Sequence, residues 1–269
     1  PSNQALIRQL VGAYLREAGF SDVIRWHYAP MATYLGDLTR NRLLIYDCMD
    51  ELSAFAGAPP ELVECERELL AQADLVFTGG RSIYQGKRPF KPHPYRFDSG
   101  VDVAHFARAT LPETPLPDDV RDLPRPIIGY YGVIDERMDY PALQAMATAH
   151  PEWSLVLAGP VTKVDPATLP QAPNIHYLGQ KSYDQLPGYL KSFDVATVLF
   201  ADNAATRFLS PTKTLEYFAG RKPVVSGPIP DILENYPDLV WIARSPEEWV
   251  RCVEQALTDH SPTRAEAGV

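Results

Sequence analysis

Cysteine is scarce in this sequence, and its scarcity excludes several kinds of protein. The three cysteines, Cys48, Cys65 and Cys252, are odd in number and widely separated. No CxxC pair and no Cys/His spacing occurs, so the sequence offers neither a zinc site nor a disulfide framework. The histidines show no ligand spacing of their own, and we expect no metal. Reduced thiols in a cytoplasmic protein fit this pattern best.

Basic residues are also few, with 25 Lys and Arg against 34 Asp and Glu, which gives a net charge of −9. A nucleic-acid surface needs clustered Lys and Arg, so this excess of acid argues against one. Long apolar runs are missing as well, and no stretch reaches the length that spans a bilayer. A local basic pocket for a phosphate stays compatible with this composition.

Strand and helix patterns alternate in residues 1–110, which predicts a parallel sheet with helical crossovers. A helix over 4–17 precedes the first strand, and Pro59 and Pro60 start a second helix. Three parallel strands make a small sheet, so we expect this first domain to be incomplete, with one or two βα units upstream of Pro1. The three predicted strands cover 22–29, 41–47 and 74–80.

Residues 111–125 are rich in Pro and Asp and have no period, which predicts a linker. The alternation then restarts and continues through 126–269, which predicts a second domain of the same kind with about six strands. The fold class is therefore α/β, with two Rossmann-like, doubly wound domains. Helices are predicted in the second domain over 140–149, 182–192, 211–219 and 246–258.

The segment SPTKTLEYFAG has the pattern of an anion site at a helix start. Ser210 is a good N-cap, and Pro211 suits the first helical position because its missing N–H is not needed there. The N–H groups of Thr212, Lys213 and Thr214 are then predicted to face a ligand at the positive end of the helix dipole. Such an arrangement binds anions.

Charged side chains accompany this predicted helix start. Arg207 and Lys213 would flank an anion with full positive charges, and Glu216 shares the face of Lys213. A carboxylate in that place can accept two hydrogen bonds from a ribose diol. A surface ion pair between Lys213 and Glu216 on an ordinary helix accounts for the same spacing. Leu215 and Phe218 are predicted to face the core.

Ligands of open α/β sheets bind outside the carboxyl ends of the strands, so the loops there supply further candidates. Gly132 lets the backbone approach a ligand, and Arg137 can offer a guanidinium to a phosphate. Gly179 and Gln180 form a loop of the same kind. In the first domain Asp50 follows a strand and can hold an acceptor hydroxyl, although helix capping explains it as well.

Four stretches carry a family resemblance: YDCMDELSAF, FDSGVDVAHF, YLGQKSYDQLPGYLKSFDVATVLF and SPTKTLEYFAGRKPVVSGPIPD. In this order they resemble segments of the GT-B glycosyltransferases, in particular the retaining enzymes of family 4 that act in bacterial cell-surface polysaccharide synthesis. The resemblance covers most of the chain from about Asp22 to about Leu257. It implies the GT-B fold, with a donor-binding C-terminal domain and an acceptor-side N-terminal domain.

The resemblance also implies an activity. A sugar would pass from a nucleotide-diphosphate donor, with a UDP-sugar favoured, to an acceptor hydroxyl, without a metal or any cofactor beyond the donor substrate. The acceptor would be a saccharide or a lipid-linked saccharide, and the enzyme would work in the cytoplasm, with peripheral association at the inner face of the membrane. The roles implied are Glu216 on the ribose, Thr212, Lys213 and Thr214 at the diphosphate and donor sugar, Arg137 near the diphosphate, and Gly179 with Gln180 at the base.

Departures from the family pattern leave alternatives open. Phe208 stands where the family has its first glutamate, and Ser99 replaces an asparagine. A nucleotide-sugar epimerase of the same fold, or a non-catalytic nucleotide-sugar-binding protein, are the two rival functions. The residues predicted to act in catalysis are Asp50, Arg207 and Lys213, with further sugar contacts expected from Asn203 or Thr206.

Overall fold

The structure is a computed structural model that describes residues 3–36, 38 and 40–259. The chain divides into two compact units, one of Pro1–Ser99 with Phe208–Ser210, the other of Gly100–Arg207 with Pro211–Val269. Residues 260–269, the end of the predicted C-terminal domain, lie outside the described residues. The strands of both units pair in parallel, which confirms the predicted α/β class.

The first unit is a four-stranded parallel sheet in the order β1-β2-β3-β4. Its apolar core lies between the sheet and helices α2 and α3, around Tyr46, Leu69 and Ile83. The elements are α1 (Asn3–Glu17), β1 (Asp22–His27), β2 (Arg40–Cys48), α2 (Glu61–Gln72), β3 (Leu75–Thr78), α3 (Arg81–Lys87) and β4 (Tyr95–Arg96), with 3-10 turns at Pro30–Leu35 and Leu52–Ala54.

Helix α1 confirms the predicted helix, but part of its apolar stripe is open to solvent. Leu10 is 60% exposed and Tyr14 is 64% exposed. Strand β1 pairs only with β2 among the described strands, and its Trp26 is also half exposed. Periodicity therefore located this helix correctly without showing what its apolar face contacts.

The second unit is a six-stranded parallel sheet in the order β10-β9-β8-β5-β6-β7. Strands β6 and β7 lie on one side of β5, and the later strands β8, β9 and β10 lie on its other side. The boundary between β5 and β8 is therefore the topological switch point of a doubly wound fold. The strands are β5 (Ile127–Tyr131), β6 (Ser154–Ala158), β7 (Ile175–Tyr177), β8 (Val195–Val198), β9 (Val224–Ser226) and β10 (Val240–Ile242). The central strands β5, β6 and β8 are buried along their whole length.

The helices of the second unit lie before, between and after its strands in the chain. They are α4 (Val103–Ala107), α5 (Asp118–Arg121), α6 (Tyr140–Ala149), α7 (Leu186–Ser192), α8 (Thr212–Ala219), α9 (Pro230–Asn235) and α10 (Pro246–Thr258). Helices α6 and α10 have the predicted bounds, whereas the predicted helix over 182–192 opens as a 3-10 turn at Tyr183–Gln185. Among the described residues, no helix combines the length and the apolar character that crossing a membrane requires.

The Pro- and Asp-rich stretch over 111–125 packs against α7 of the second unit. Asp119 accepts hydrogen bonds from Lys181 at 2.7 Å and from Tyr189 at 2.8 Å. Val120 is almost fully buried. The lack of periodicity in this stretch is thus compatible with an ordered segment, because single side chains anchor it.

Candidate active site

A pocket of about 330 Å³ opens at the carboxyl ends of β5, β6 and β7 in the second unit. Helix α8, which follows β8, closes one side of it, so the pocket lies at the switch point between β5 and β8. Predicted site residues and residues that sequence reasoning missed meet here. The polar and glycine positions that line it are Tyr131, Gly132, Gly159, Gln180, Lys181, Thr212, Lys213 and Glu216.

Helix α8 begins one residue later than predicted. Pro211 is extended, with ψ at 110°, and takes the N-cap position, while no side chain caps the helix. The predicted cap at Ser210 is therefore wrong, because the proline is not itself part of the helix. The N–H of Thr214 donates to the Pro211 carbonyl at 3.1 Å, so it does not face a ligand as predicted.

The two N–H groups at the start of α8, those of Thr212 and Lys213, have no backbone acceptor among the described residues. Both residues line the pocket. Unpaired N–H groups in the first turn of a helix carry the positive end of its dipole. The pocket therefore has a built-in preference for an anion on the side formed by α8.

Lys213 supplies a full charge to the same pocket, and its side chain runs under Gly132. A Cβ on Gly132 would overlap Lys213 Cε and stand 2.8 Å from its Nζ. Gly132 has φ at 135°, a conformation that residues with a Cβ rarely adopt. Only glycine at this place leaves room for the ammonium, which lies 5.7 Å from the centroid of Tyr130 and 5.8 Å from that of Phe200.

The pKa of Lys213 is lowered by burial, and the positive charge of Arg137 lowers it further, against the pull of Glu216. Gly159 and Gly132 also approach each other closely on this side of the pocket, since a Cβ on Gly159 would overlap the carbonyl oxygen of Gly132. The pocket thus holds a partly buried ammonium, and the charges of Glu216 and Asp135 only partly offset the effect of burial on its pKa. A bound anion would supply the missing compensation.

The positive charge of Arg137 acts on this ammonium, but its guanidinium donates hydrogen bonds to Asp135. Its Nε and Nη2 donate to the two oxygens of Asp135 at 2.9 Å and 2.7 Å, and its guanidinium lies 5.4 Å from the Phe200 ring centroid. It is not among the residues that line the pocket. In this structure Arg137 therefore acts on Lys213 by its charge, while its Nε and Nη2 donate to Asp135.

Glu216 lies one turn below Lys213 and also lines the pocket. Burial raises the pKa of its carboxyl group, and the Tyr131 hydroxyl and the Lys213 charge oppose that rise. The core side of α8 differs from the prediction, because Thr214, Tyr217 and Phe218 are buried while Leu215 is only partly so. The helix thus turns Lys213 and Glu216 together toward the pocket.

Other predicted site residues are not brought to this pocket. Gly179 precedes the lining residue Gln180 and has a left-handed φ of 69°, with open space around it. Thr214 is fully buried and its hydroxyl has no partner among the described residues. Arg207 is exposed on the 3-10 turn Thr206–Phe208, and Asp50 is exposed after β2 in the first unit. The catalytic roles of Arg207 and Asp50 stay predictions.

Tyr131 is a polar residue of the pocket that the sequence analysis did not single out. It is the last residue of β5, 3% exposed, and its hydroxyl faces the Glu216 carboxylate without a hydrogen bond of normal geometry. The sequence signal that points to Tyr131 is its position at the end of a strand, directly before Gly132. Strand burial alone assigns such a tyrosine to the core, which is why its polar end was overlooked.

Comparison with known proteins identifies the family. Residues 125–259 match the family described as Glycosyl transferases group 1, which covers half of the chain and all of the pocket. TuaH of Bacillus subtilis (strain 168), whose name assigns it to teichuronic acid biosynthesis as a glycosyltransferase, is 24% identical over 222 residues. That alignment covers 76% of this chain and 55% of TuaH, so the chain spans about half the length of this relative.

Solved structures share the fold. Sucrose-phosphate synthase from Thermosynechococcus elongatus is 15% identical, with a TM-score of 0.71 over 97% of this chain and 71% of its own. Anabaena Alr3699/HepE, solved in complex with UDP and glucose, is 14% identical, with a TM-score of 0.70 over 98% of this chain and 74% of its own. These matches confirm the predicted GT-B type of α/β fold. The chain therefore belongs to the group 1 glycosyl transferases.

Proposed function

We propose that this chain is the nucleotide-sugar-binding and catalytic part of a glycosyltransferase, which moves a sugar from a nucleoside-diphosphate donor to an acceptor hydroxyl. A UDP-sugar is the favoured donor, since HepE was solved with UDP and with UDP-glucose. The acceptor proposed is a saccharide or lipid-linked saccharide for a cell-surface polymer, as the name of TuaH suggests. The reaction would take place in the cytoplasm, with acceptors reached at the inner face of the membrane.

One observation carries the proposal: an anion site and a carboxylate share one pocket at the switch point. The N–H groups of Thr212 and Lys213 and the Lys213 ammonium face one side, and Glu216 lies a turn below. A nucleoside diphosphate likewise carries a charged diphosphate and a ribose diol in neighbouring parts of one molecule. We therefore assign the diphosphate to the helix start and the ribose to Glu216.

This assignment explains how the pocket would promote the reaction. Cleavage of the bond between sugar and diphosphate leaves negative charge on the departing diphosphate. The dipole of α8 and the partly buried ammonium of Lys213 are already in place to stabilise that charge. Because the Lys213 side chain is packed against Gly132, its ammonium is already in position before the charge develops. We propose on this basis that the protein groups supply the electrostatic role without a metal.

On the acceptor side, the residue proposed to act is Asp50. Asp50 is exposed and follows β2, at the carboxyl edge of the first unit's sheet. A carboxylate there can accept the proton of an acceptor hydroxyl or orient that hydroxyl. Arg207 is exposed, so its guanidinium can turn toward a bound phosphate. A donor-sugar contact is proposed for Asn203 in the turn before it. The other candidate of that turn, Thr206, is 2% exposed and its hydroxyl donates to the Ala201 carbonyl at 2.6 Å, so it is not proposed to contact the sugar.

The test is incubation of the chain with UDP-, GDP- and dTDP-sugars, followed by analysis of nucleotide and sugar products, with and without EDTA. Slow release of a nucleoside diphosphate that Lys213→Met abolishes is the expected result. Interconversion of one nucleotide sugar into another would instead establish an epimerase. Tight binding without any turnover, also when saccharide acceptors are added, would establish a binding protein.

A further inference from the structure

The Tyr131 hydroxyl is a polar group inside the pocket that the proposed function leaves unused. Tyr131 lines the pocket and is 3% exposed, yet its hydroxyl oxygen is buried without a hydrogen-bond partner of normal geometry among the described residues. A buried polar atom of this kind requires an explanation, because leaving a hydroxyl unpaired is unfavourable. The group that it faces is the carboxylate of Glu216.

The Tyr131 ring is fixed in place. Its plane is within 12° of the Phe106 ring at a centroid distance of 6.2 Å, and the Tyr217 ring meets it edge-on at 5.0 Å. Phe106 and Tyr217 are both fully buried. With its ring held between buried aromatics, the hydroxyl has little freedom to move away from Glu216, which lines the same pocket.

The Glu216 carboxylate still has acceptor capacity. It has no ion pair among the described residues, although the Lys213 ammonium attracts it from one turn away. A carboxylate can accept about four hydrogen bonds. The two hydroxyls of a ribose supply two donors on neighbouring carbons, and the Tyr131 hydroxyl supplies a third. A 2′-deoxyribose supplies only one hydroxyl and leaves a half-buried carboxylate oxygen unpaired.

We propose that Tyr131 and Glu216 together make this site selective for ribonucleoside diphosphates over their 2′-deoxy counterparts, with Tyr131 as the positioning residue that orients the Glu216 carboxylate toward the diol. This inference rests on the proposed function, since it takes the pocket to hold a nucleoside diphosphate. It narrows the donor class, because dTDP-sugars carry a 2′-deoxyribose. UDP-, GDP- and ADP-sugars remain.

The experiment measures binding of matched nucleotide pairs by calorimetry: UDP with dUDP, GDP with dGDP, and ADP with dADP. The pair whose ribonucleotide binds most tightly is used for the variants. We expect the ribonucleotide to bind at least about tenfold more tightly than its 2′-deoxy form, the effect of losing one hydrogen bond to a buried carboxylate. For a uridine site, 5-methyl-UDP separates the effect of the thymine methyl group from that of the missing hydroxyl.

Two variants and one control test the assignment of residues. Glu216→Gln should reduce the ribo-to-deoxy preference to about twofold or less, since an amide cannot accept both hydroxyls. Tyr131→Phe keeps the ring and should reduce the preference severalfold, while binding of inorganic pyrophosphate stays unchanged. Tyr177→Phe is the matched control, because the Tyr177 hydroxyl bonds the Pro170 carbonyl and lies outside the pocket lining. It should leave the preference as it is.

A pH profile adds a readout that a merely structural role would not move. The Tyr131 hydroxyl lowers the pKa of Glu216, so in Tyr131→Phe the acid-side loss of ribonucleotide binding should begin at a higher pH. Equal affinity for ribo and deoxy forms in the unaltered chain, or an unchanged preference in Tyr131→Phe, would overturn the inference while the donor site stands. Failure of every nucleotide and of pyrophosphate to bind would overturn the proposed function with it.

Discussion

The Lys213 side chain fills the space that a Cβ on Gly132 would need. Such a Cβ would lie 2.3 Å from Lys213 Cε and 2.8 Å from Lys213 Nζ. The two residues come from different elements, the loop after β5 and the first turn of α8. Their contact places an ammonium at the switch point, where it is partly buried. It also makes the identity of residue 132 a condition for the position of the charge.

Gly132→Ala should therefore displace the Lys213 side chain and weaken UDP binding by about tenfold or more, since one charge-assisted contact is lost. Gly57→Ala is the matched control, because Gly57 also has a positive φ of 78° but has open space around it. Alanine is more strained at Gly132 than at Gly57, because a φ of 135° lies outside the left-handed α region, so thermal unfolding of both variants measures that difference separately. Calorimetry should show weaker UDP binding for Gly132→Ala alone; equal binding by both would contradict the proposed ammonium position.

Lys213 predicts a pH dependence of nucleotide binding. Burial lowers its pKa from the ordinary value of 10.5, so the unliganded lysine loses its charge at a lower pH than an exposed lysine. A bound diphosphate favours the charged form and raises that pKa again, so binding takes up a proton on the alkaline side. UDP affinity should therefore fall as the pH rises past the lowered pKa of the unliganded lysine toward its ordinary value of 10.5.

Calorimetry in buffers of different ionisation enthalpy measures this proton uptake directly. Lys213→Met should bind UDP weakly at every pH and take up no proton. Lys163→Met, which changes a lysine that is 57% exposed and lies outside the pocket lining, should keep the full pH profile. A pH-independent UDP affinity in the unaltered chain would show that Lys213 does not contact the diphosphate.

Asp50 provides a test of the acceptor-side proposal. Asp50→Asn keeps the shape of the side chain but cannot take up a proton, so transfer to an acceptor should slow by about a hundredfold, the usual effect of losing a general base. UDP affinity should stay unchanged, because Asp50 belongs to the first unit and the pocket to the second. Asp118→Asn, at an exposed carboxylate with a helical ion pair, serves as control. Normal turnover in Asp50→Asn would remove this residue from catalysis.

Phe208 occupies the position where the family pattern has a glutamate, and here it packs against the apolar core of the first unit. Phe208→Glu should lower the free energy of unfolding by about 3 kcal/mol, because it removes an apolar contact and brings a carboxylate to an apolar surface. Phe208→Leu should lower it by about 1 kcal/mol. Denaturant titration gives both values. Unchanged stability in Phe208→Glu together with tighter UDP-sugar binding would show that this side chain faces the donor.

Lys87 holds together two carboxylates in the first unit. Its Nζ lies 2.5 Å from Glu51 and 2.6 Å from Glu66, and Tyr46 donates to Glu66 at 2.6 Å. Lys87→Met should lower the free energy of unfolding by about 3 kcal/mol at neutral pH, because two buried carboxylates lose their cation.

Two further variants separate the ionic effect from packing. Lys87→Met combined with Glu66→Gln should recover part of the lost stability, since one of the uncompensated charges is gone. Arg67→Met, at an exposed i,i+3 pair with Glu64, should change stability little. A small effect of Lys87→Met would show that the two ion pairs of Lys87 contribute little to the free energy of unfolding.

The sequence alone determined the class of fold and the elements of the second unit. Helices α6 and α10 lie at the predicted bounds because a capping residue, a Pro in the first turn and an apolar period agree locally at each. Lys213 and Glu216 share a face for the same local reason, the three-residue spacing on a helix. Local patterns fix such features because every atom involved lies within a few residues along the chain.

Tertiary structure decided what lies against these elements. Whether the apolar stripe of α1 is covered, that Gly132 makes room for Lys213, and that the Tyr131 hydroxyl faces Glu216 all depend on residues far apart in the chain. The start of α8 moved by one residue because the backbone of Pro211 is extended where the sequence pattern allowed a helix. Periodicity tells which face of an element is apolar, but only the packing of distant segments determines which atoms meet and which polar groups stay open to a ligand.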